Sequence, residues 1–217
     1  MKKHIYFVSG TGANSKIFER ILLPEQTFEM HFIEWIQPAS VDESIEQYAK
    51  RMCEKIKHPS PILVGVSFGG IMIQEMSKII NSEKIVLISS IKSKDELPKK
   101  LKFIRDSKAF LLAPTGYIDN IENFLSLIFG NKTKKRIQAY RKYLSVRDPL
   151  YLNWAIKQAL IWKQTEPLPN TIHIHGTEDP IFPIKYIKNC ISIKKGSHIM
   201  IITKPKEISK ILLKKLQ

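Results

Sequence analysis

The sequence has few cysteines and no long apolar segment, and each absence excludes a class of protein. Its 217 residues contain two cysteines, Cys53 and Cys190, which are too few for the disulfide framework of a small secreted domain. The longest apolar stretches fall far short of the ~20 residues that a membrane span needs. The apolar run at residues 5–8 is also too short for a signal peptide. We therefore expect a cytoplasmic protein with buried, free thiols and no membrane span.

The most informative motif that is present is Gly65-Val66-Ser67-Phe68-Gly69, a G-x-S-x-G sequence between a strand-like and a helix-like apolar segment. A strand that turns sharply into a helix at Ser67 would expose the hydroxyl and direct the free N–H groups of the helix towards whatever it attacks. Gly65 and Gly69 leave room for such a turn. A serine between glycines is usually an ordinary turn residue, but this context predicts that Ser67 is a nucleophile.

A nucleophilic serine needs a base to take its proton, and the base needs a carboxylate to hold it in the right tautomer. Asp179 follows a predicted strand at residues 171–176, and His198 follows a predicted strand at residues 186–193. The order serine, acid, histidine is the one that this chemistry uses on α/β sheets. Because loops at the carboxyl ends of parallel strands meet at one crevice, we expect Ser67, Asp179 and His198 to converge there.

Strand-like and helix-like segments alternate along the chain, which predicts a mostly parallel sheet with helices on both faces. Predicted strands lie at residues 4–8, 28–35, 62–66, 84–89, 171–176 and 186–193. A capping-box pattern at residues 40–43 predicts the start of a helix, and the last helix begins near Pro205. Residues 91–169 contain no convincing strand. Their helical patterns include one at residues 119–130 and one that opens at Asp148-Pro149.

These features resemble the α/β-hydrolase superfamily over nearly the whole chain. The resemblance implies the α/β-hydrolase fold, with a mostly parallel sheet of about six strands, in one domain that covers residues 1–217. It also implies that residues 91–169 form a helical cap or insertion above the serine. Candidate residues to line an acyl pocket under this cap are Phe103, Phe110, Leu111, Leu112, Tyr117, Phe124, Phe129 and Trp154.

The segment Ser9-Gly10-Thr11-Gly12 resembles the oxyanion loop of this family, with Ser9 where a histidine is usual. The resemblance implies that the backbone N–H groups of Thr11 and Phe68 stabilise the negative oxygen that forms on an attacked carbonyl. It also places the acid directly before a proline-containing turn, which favours Asp179 over the neighbouring Glu178.

The implied activity is that of a serine hydrolase that cleaves a carboxylic ester or thioester through an acyl-enzyme intermediate, without a cofactor. An acyltransferase, a C–C bond hydrolase, a peroxidase-type enzyme and a non-catalytic basic binding protein are the alternatives. We predict no metal, because the pair His173 and His175 has no third ligand at a persuasive spacing. The sequence Gly10-Thr11-Gly12 lacks the third glycine of a dinucleotide-binding loop, where Ser15 stands.

Acidic residues are scarce: 35 Lys and Arg against 20 Asp and Glu give a formal net charge of +15. The basic residues concentrate at residues 92–102, 132–142 and 204–215, and such clusters can bind nucleic acid or an anionic membrane. They are spread over several segments without a recognised nucleic-acid motif, so we predict no specific nucleic-acid binding. We expect instead a small-molecule acyl substrate, with the basic surface attracting an anionic substrate or an acidic carrier protein.

Overall fold

A computed structural model describes residues 2–107 and 142–217, and in them six parallel strands form one sheet. The order across the sheet is β2-β1-β3-β4-β5-β6. The strands are β1 (Lys3–Val8), β2 (Phe28–Ile33), β3 (Ile62–Val66), β4 (Lys84–Ile88), β5 (Thr171–Gly176) and β6 (Ile191–Ile193). This architecture confirms the predicted α/β class with a six-stranded parallel sheet.

The described helices alternate with the strands or follow them. They are α1 (Ile45–Cys53), α2 (Phe68–Ser77), α3 (Lys99–Asp106), α4 (Pro149–Ile161), α5 (Met200–Thr203) and α6 (Pro205–Leu216). Short 3-10 turns lie at Ser15–Phe18, Lys94–Glu96 and Ile184–Tyr186. Helices α1 and α2 pack against each other, and α2 contacts β1, β3 and β4.

Both faces of the sheet are covered, as the contacts of two consecutive residues in β1 show. Phe7 packs against Phe18 of the first 3-10 turn, which in turn contacts α5. Tyr6 contacts His58 in the segment that follows α1. Since successive side chains of a strand point to opposite faces, α1 and α5 lie on opposite sides of the sheet. Burial on both faces explains why β3 and β4 read as nearly continuous apolar runs.

The start of α1 differs from the prediction, which placed its capping box at residues 40–43. The cap is Ser44, whose hydroxyl accepts from Gln47 N–H while the Gln47 side chain accepts from Ser44 N–H. Glu43 is buried and accepts hydrogen bonds from Ala39 N–H and the Arg51 guanidinium instead. The Glu43 carboxylate is therefore engaged in tertiary contacts and does not close a capping box.

The predicted strand at residues 186–193 is much shorter in the structure. Only Ile191–Ile193 pairs with β5, and Ile184–Tyr186 forms a 3-10 turn. Asn189 has a φ of 46°, in the left-handed region that interrupts an extended chain. The strand therefore begins only after this residue.

The segment predicted as a cap is described in part, at residues 91–107 and 142–169. Helix α4 begins as predicted, with Asp148 accepting from Leu150 N–H and Pro149 in the first turn. Helix α3 contacts α4, and α4 also contacts α2. The helix predicted at residues 119–130 lies outside the described residues.

Cys53 and Cys190 are free thiols, as predicted. Both side chains are half-buried, whereas the sequence predicts buried thiols. Burial raises the pKa of Cys53 to about 11, so its thiol stays protonated at neutral pH.

Within residues 2–107 and 142–217, no helix has the length and apolar character to cross a membrane.

Replacing Gly176 by alanine is expected to destabilise the fold by about 1–3 kcal/mol, the usual cost of overpacking. Gly176 ends β5, and a Cβ there would lie 2.2 Å from the carbonyl oxygen of Gly196 in the loop after β6. Gly10→Ala is the matched control, since its Cβ would meet nothing closer than 3.5 Å. Chemical denaturation gives the free energies of unfolding, and equal stability of the two variants would contradict the packing argument.

Candidate active site

Ser67 lies at the sharp turn from β3 into α2, with a φ of 54° and a ψ of −120°. Non-glycine residues rarely adopt this conformation, and surrounding contacts must hold it. Ser67 N–H donates to Ile88 O at 3.0 Å, and the Ser90 hydroxyl donates to Ser67 O at 2.7 Å. These bonds fix the backbone on both sides of the Ser67 Cα.

Two glycines allow this turn because backbone from three segments meets there. A Cβ on Gly65 would lie 2.3 Å from Gly69 O, and a Cβ on Gly69 would lie 2.3 Å from Ser9 O. Both contacts are with backbone atoms, which cannot rotate away as a side chain can. These backbone contacts therefore require glycine at both ends of the G-x-S-x-G motif, at positions 65 and 69.

Ser67, His198 and Asp179 form a continuous hydrogen-bonded chain. The Ser67 Oγ lies 2.9 Å from His198 Nε2, and His198 Nδ1 lies 2.8 Å from Asp179 Oδ2. A carboxylate only accepts, so Nδ1 carries the proton in the neutral ring and Nε2 is free to accept from the serine hydroxyl. The structure thus places the three sequence-predicted side chains within hydrogen-bond reach, in the order that a serine nucleophile needs.

Asp179 is buried and ionised by its surroundings. Burial by itself raises the pKa of this carboxyl, but His198 and His175 and the hydrogen bonds it accepts together hold the pKa below its usual value. Its Oδ1 accepts from Ile181 N–H at 2.8 Å and from Phe182 N–H at 2.9 Å. These two backbone donors fix the carboxylate plane, so that Oδ2 points to His198. The neighbouring Glu178 donates its N–H to Gly196 O at 2.8 Å and is exposed.

The pair His173 and His175 lies behind Asp179. His175 Nε2 lies 2.7 Å from Phe182 O and 3.5 Å from Asp179 Oδ2. Its Nε2 therefore carries the proton, and its Nδ1 accepts from His173 Nε2–H at 3.2 Å. His175 thus braces the loop that carries Asp179. The position of His175 at the end of a strand, just before the loop that carries Asp179, was the sequence feature that could have indicated this role.

Thr11 and Phe68, the predicted oxyanion residues, line the same cavity as Ser67. Within the described part of the chain, neither of their backbone N–H groups donates a hydrogen bond to a protein atom. The Thr11 loop is held by the Ser9 hydroxyl, which donates to Ala13 O at 2.6 Å, and by Trp35 Nε1–H, which donates to Gly10 O at 2.9 Å. The serine at position 9 therefore closes the loop internally.

A cavity of about 650 Å³ opens beside Ser67 and His198. Its described lining is mostly apolar, contains no aspartate or glutamate, and includes three lysines. Representative apolar residues are Ile71, Leu97, Leu101, Ile104, Ile156 and Leu160, and the lysines are Lys99, Lys100 and Lys185. A mostly apolar pocket with a few polar groups is the usual form of a small-molecule site.

Two of the predicted pocket residues do not line this cavity. The Phe103 side chain is 73% exposed, and Trp154 is buried against Tyr48 with its Nε1–H donating to Glu43 O. Helix α3 presents Leu101 and Ile104 to the cavity instead. The remaining predicted pocket residues lie outside the described part of the chain: Phe110, Leu111, Leu112, Tyr117, Phe124 and Phe129.

The sequence matches no protein-family model, and no curated protein matches it. Solved structures do match. A carboxylesterase from Nitrososphaera gargenis aligns with a TM-score of 0.71 at 14% identity, over 99% of this chain and 90% of that one. A hydrolase from Pseudomonas aeruginosa aligns with a TM-score of 0.70 at 14% identity, over 99% of this chain and 90% of that one. A malate-bound esterase from Thermogutta terrifontis aligns with a TM-score of 0.65 at 16% identity, over 100% of this chain and 90% of that one. The chain has the α/β-hydrolase fold.

In this α/β-hydrolase fold, the predicted site residues come from the carboxyl ends of four strands. Thr11 follows β1, Ser67 follows β3, Asp179 follows β5 and His198 follows β6. The sheet brings these ends to one edge, which is where open α/β sheets place their ligands. Residues that are far apart in sequence are thus neighbours in the α/β-hydrolase fold.

We expect His173→Gln to make stability less dependent on pH below about 6.5, the ordinary histidine pKa. Burial holds the pKa of His173 well below 6.5 in the folded protein. The unfolded chain therefore binds more protons, and the free energy of unfolding falls as the pH drops. Glutamine keeps a donor for His175 but does not titrate.

Urea denaturation between about pH 6 and pH 5 checks this expectation, because one such group changes stability by at most about 1.4 kcal/mol per pH unit. The slope of the variant should be smaller than that of the wild type. An equal or steeper slope for the variant would show that His173 is not held neutral.

Proposed function

We propose that this protein is a serine hydrolase that cleaves a carboxylic ester or thioester through an acyl-enzyme intermediate. The observation that carries the proposal is the hydrogen-bonded chain from Ser67 Oγ through His198 to the buried Asp179 carboxylate, at the wall of an apolar cavity. The solved esterases and hydrolases that share the fold support the same class of reaction.

In the first half-reaction, Ser67 Oγ attacks the carbonyl carbon while His198 Nε2 takes the serine proton. The negative charge moves to the carbonyl oxygen, where the N–H groups of Thr11 and Phe68 stabilise it. One such donor typically contributes about 2.7–4 kcal/mol to the transition state. His198 then gives its proton to the leaving alcohol or thiol, and the acyl group stays on Ser67.

In the second half-reaction, His198 takes a proton from water, and the water oxygen attacks the acyl carbon. The acid is released, and the proton returns to Ser67 Oγ. Asp179 accepts the Nδ1–H bond throughout and stabilises the charged ring of His198. This scheme needs no cofactor and no metal.

We propose that residues 91–169 form a cap over the cavity within one α/β-hydrolase domain. In the described part of this segment, α3 and α4 contact each other, and residues from both line the cavity beside Ser67. These helices would bind the acyl chain and exclude water from the acyl-enzyme.

The cavity lining also favours a substrate that carries a negative charge. Lys99, Lys100 and Lys185 border an apolar space in which the described lining has no acidic residue to neutralise them. An acyl group with a terminal carboxylate, or an anionic leaving group, would fill this space and approach these cations. An acidic carrier protein that presents the acyl group would bring negative charge to the same lysines.

An acyltransferase is the second candidate, because the same serine, histidine and aspartate can pass the acyl group to an alcohol or amine instead of water. Product analysis with and without an added acceptor separates the two. Free acid as the product at all acceptor concentrations supports the hydrolase, whereas a product that grows with the acceptor supports the transferase.

Ser67→Ala and His198→Ala are each expected to lower ester hydrolysis by roughly 10⁴–10⁶-fold, because the three groups act as a unit. Both variants should also fail to react with a fluorophosphonate probe, and circular dichroism should show an intact fold. The measurements are turnover of p-nitrophenyl esters and acyl thioesters, and intact mass after labelling.

Ser77→Ala is the matched control for this experiment. It lies at the end of the same helix, where its hydroxyl donates to Gln74 O, so it should keep full labelling and turnover. Activity or labelling retained in Ser67→Ala would refute the proposed mechanism.

The double variant Lys99→Gln/Lys100→Gln is expected to raise KM about fivefold for an ester with a terminal carboxylate. Loss of one charge–charge interaction in water at about 4 Å corresponds to ~1 kcal/mol. The KM for a neutral ester of the same length should not change. Added salt should reduce the difference in KM between the wild type and the double variant for the charged ester.

Lys102→Gln is the control, since this residue lies on the same helix, bonds to Asp95 O and does not line the cavity. Equal KM changes for the charged and the neutral ester would argue against a charge-selective pocket.

A further inference from the structure

A cluster of imidazole rings lies at the sheet edge formed by β1 and β2, away from the carboxyl ends of the strands. In the register of these two strands, His4 pairs with Glu29 and Tyr6 with His31. Since alternate residues of a strand share a face, all four side chains lie on one face of the sheet. His58, from the loop between α1 and β3, completes the cluster by stacking on His4 with ring centroids 3.5 Å apart.

The donor atoms of this cluster have the spacing of ligands around one metal ion. His4 Nδ1 lies 3.1 Å from His31 Nε2. Glu29 Oε2 lies 3.7 Å from His4 Nδ1, and Glu29 Oε1 lies 3.7 Å from His31 Nε2. A tetrahedral zinc ion with N and O ligands at about 2.0–2.1 Å requires ligand atoms about 3.3–3.4 Å apart. A metal ion lies in the plane of each imidazole that binds it, and the His4 and His58 rings are stacked at 5° to each other. Binding of both rings to one ion therefore requires one of them to rotate.

His58 supplies a further nitrogen, and its orientation is supported from behind. One ring nitrogen from each of His4, His31 and His58 lies within 4.8 Å of the others. His58 Nδ1 lies 2.7 Å from the buried Tyr6 hydroxyl, which also accepts from Lys57 N–H. When His58 Nδ1–H donates to Tyr6 Oη, Nε2 has a free lone pair. An outer hydrogen bond of this kind commonly orients a metal-binding histidine.

The cluster is accessible to an ion from solvent. The His4 and His31 side chains are 25% and 23% exposed, and Glu29 is 48% exposed. Three imidazole nitrogens with one carboxylate suit zinc better than magnesium or calcium, which prefer all-oxygen sites.

We propose that His4, His31, His58 and Glu29 form a structural site for a divalent transition metal, with zinc as the ion. Among the described residues, His4, His31 and His58 are the one group of three potential ligands with mutual spacing this short, and Glu29 adjoins two of them. The ion would join β1, the edge strand β2 and the loop after α1. Metal binding to these three segments would protect the exposed edge of the sheet and would stabilise the folded state over the unfolded chain.

This site is independent of the proposed hydrolase reaction. Along β1, His4 precedes Ser9 by roughly 16 Å at ~3.3 Å per residue, so the metal cannot contact Ser67 or its substrate. No group of three potential ligands among the described residues includes Asp179 or His198. Metal binding can therefore be tested by affinity and stability, without an activity assay.

The experiment uses the full chain, purified without a polyhistidine tag and stripped with a chelator. It is then dialysed against zinc and analysed for bound metal by elemental mass spectrometry. We expect about one zinc ion per chain and a zinc-dependent rise in Tm. Cobalt should give the intense visible bands of a tetrahedral site. His31→Gln should weaken binding by at least about tenfold, an effect that even outer-shell changes produce.

Glu29→Gln and His58→Gln are further variants with partly exposed side chains, and they keep the test informative if His31→Gln fails to fold. His198→Gln is the control for binding at the candidate active site and should retain zinc. Failure of the wild type to hold zinc, or equal zinc binding by the wild type and all three cluster variants, would overturn the proposal. Loss of binding in His198→Gln alone would do the same.

Discussion

The close approach of three backbone segments at the end of β3 is the constraint on which the site depends. Gly65 lies against Gly69, and Gly69 lies against the carbonyl of Ser9. These two contacts hold the strained turn of Ser67 at the start of α2 against the loop after β1. Packing thus positions the Ser67 hydroxyl beside the loop that carries Thr11.

The other half of the site is built on an equally tight contact, between Gly176 and Gly196. It fixes the loop of Asp179 against the loop of His198, and backbone donors then orient the Asp179 carboxylate. The two histidines behind this loop extend the same rigid arrangement into the core. Two pairs of glycines therefore hold two loop systems, and the hydrogen bond between Ser67 and His198 joins them.

The strand-and-turn signals were sufficient to predict the sheet and the residues that meet at its edge, because Ser67, Asp179 and His198 each follow a strand directly. The cap of α1 could not be decided in the same way. Residues 40–43 and 44–47 both carry a capping-box pattern, and only the tertiary contact between Glu43 and Arg51 decides between them. The cluster of His4, His31 and His58 was also invisible, since it depends on the register of β1 with β2.

The parallel order of the sheet has a consequence for synthesis of the chain. Strand β4 pairs with β5, but the long segment between them is translated before β5. Until β5 leaves the ribosome, β4 presents an apolar edge with unpaired backbone groups, which is a template for pairing with other chains. Closing this large loop is a slow, non-local step. A nascent chain that ends between β4 and β5 therefore exposes this edge to other chains.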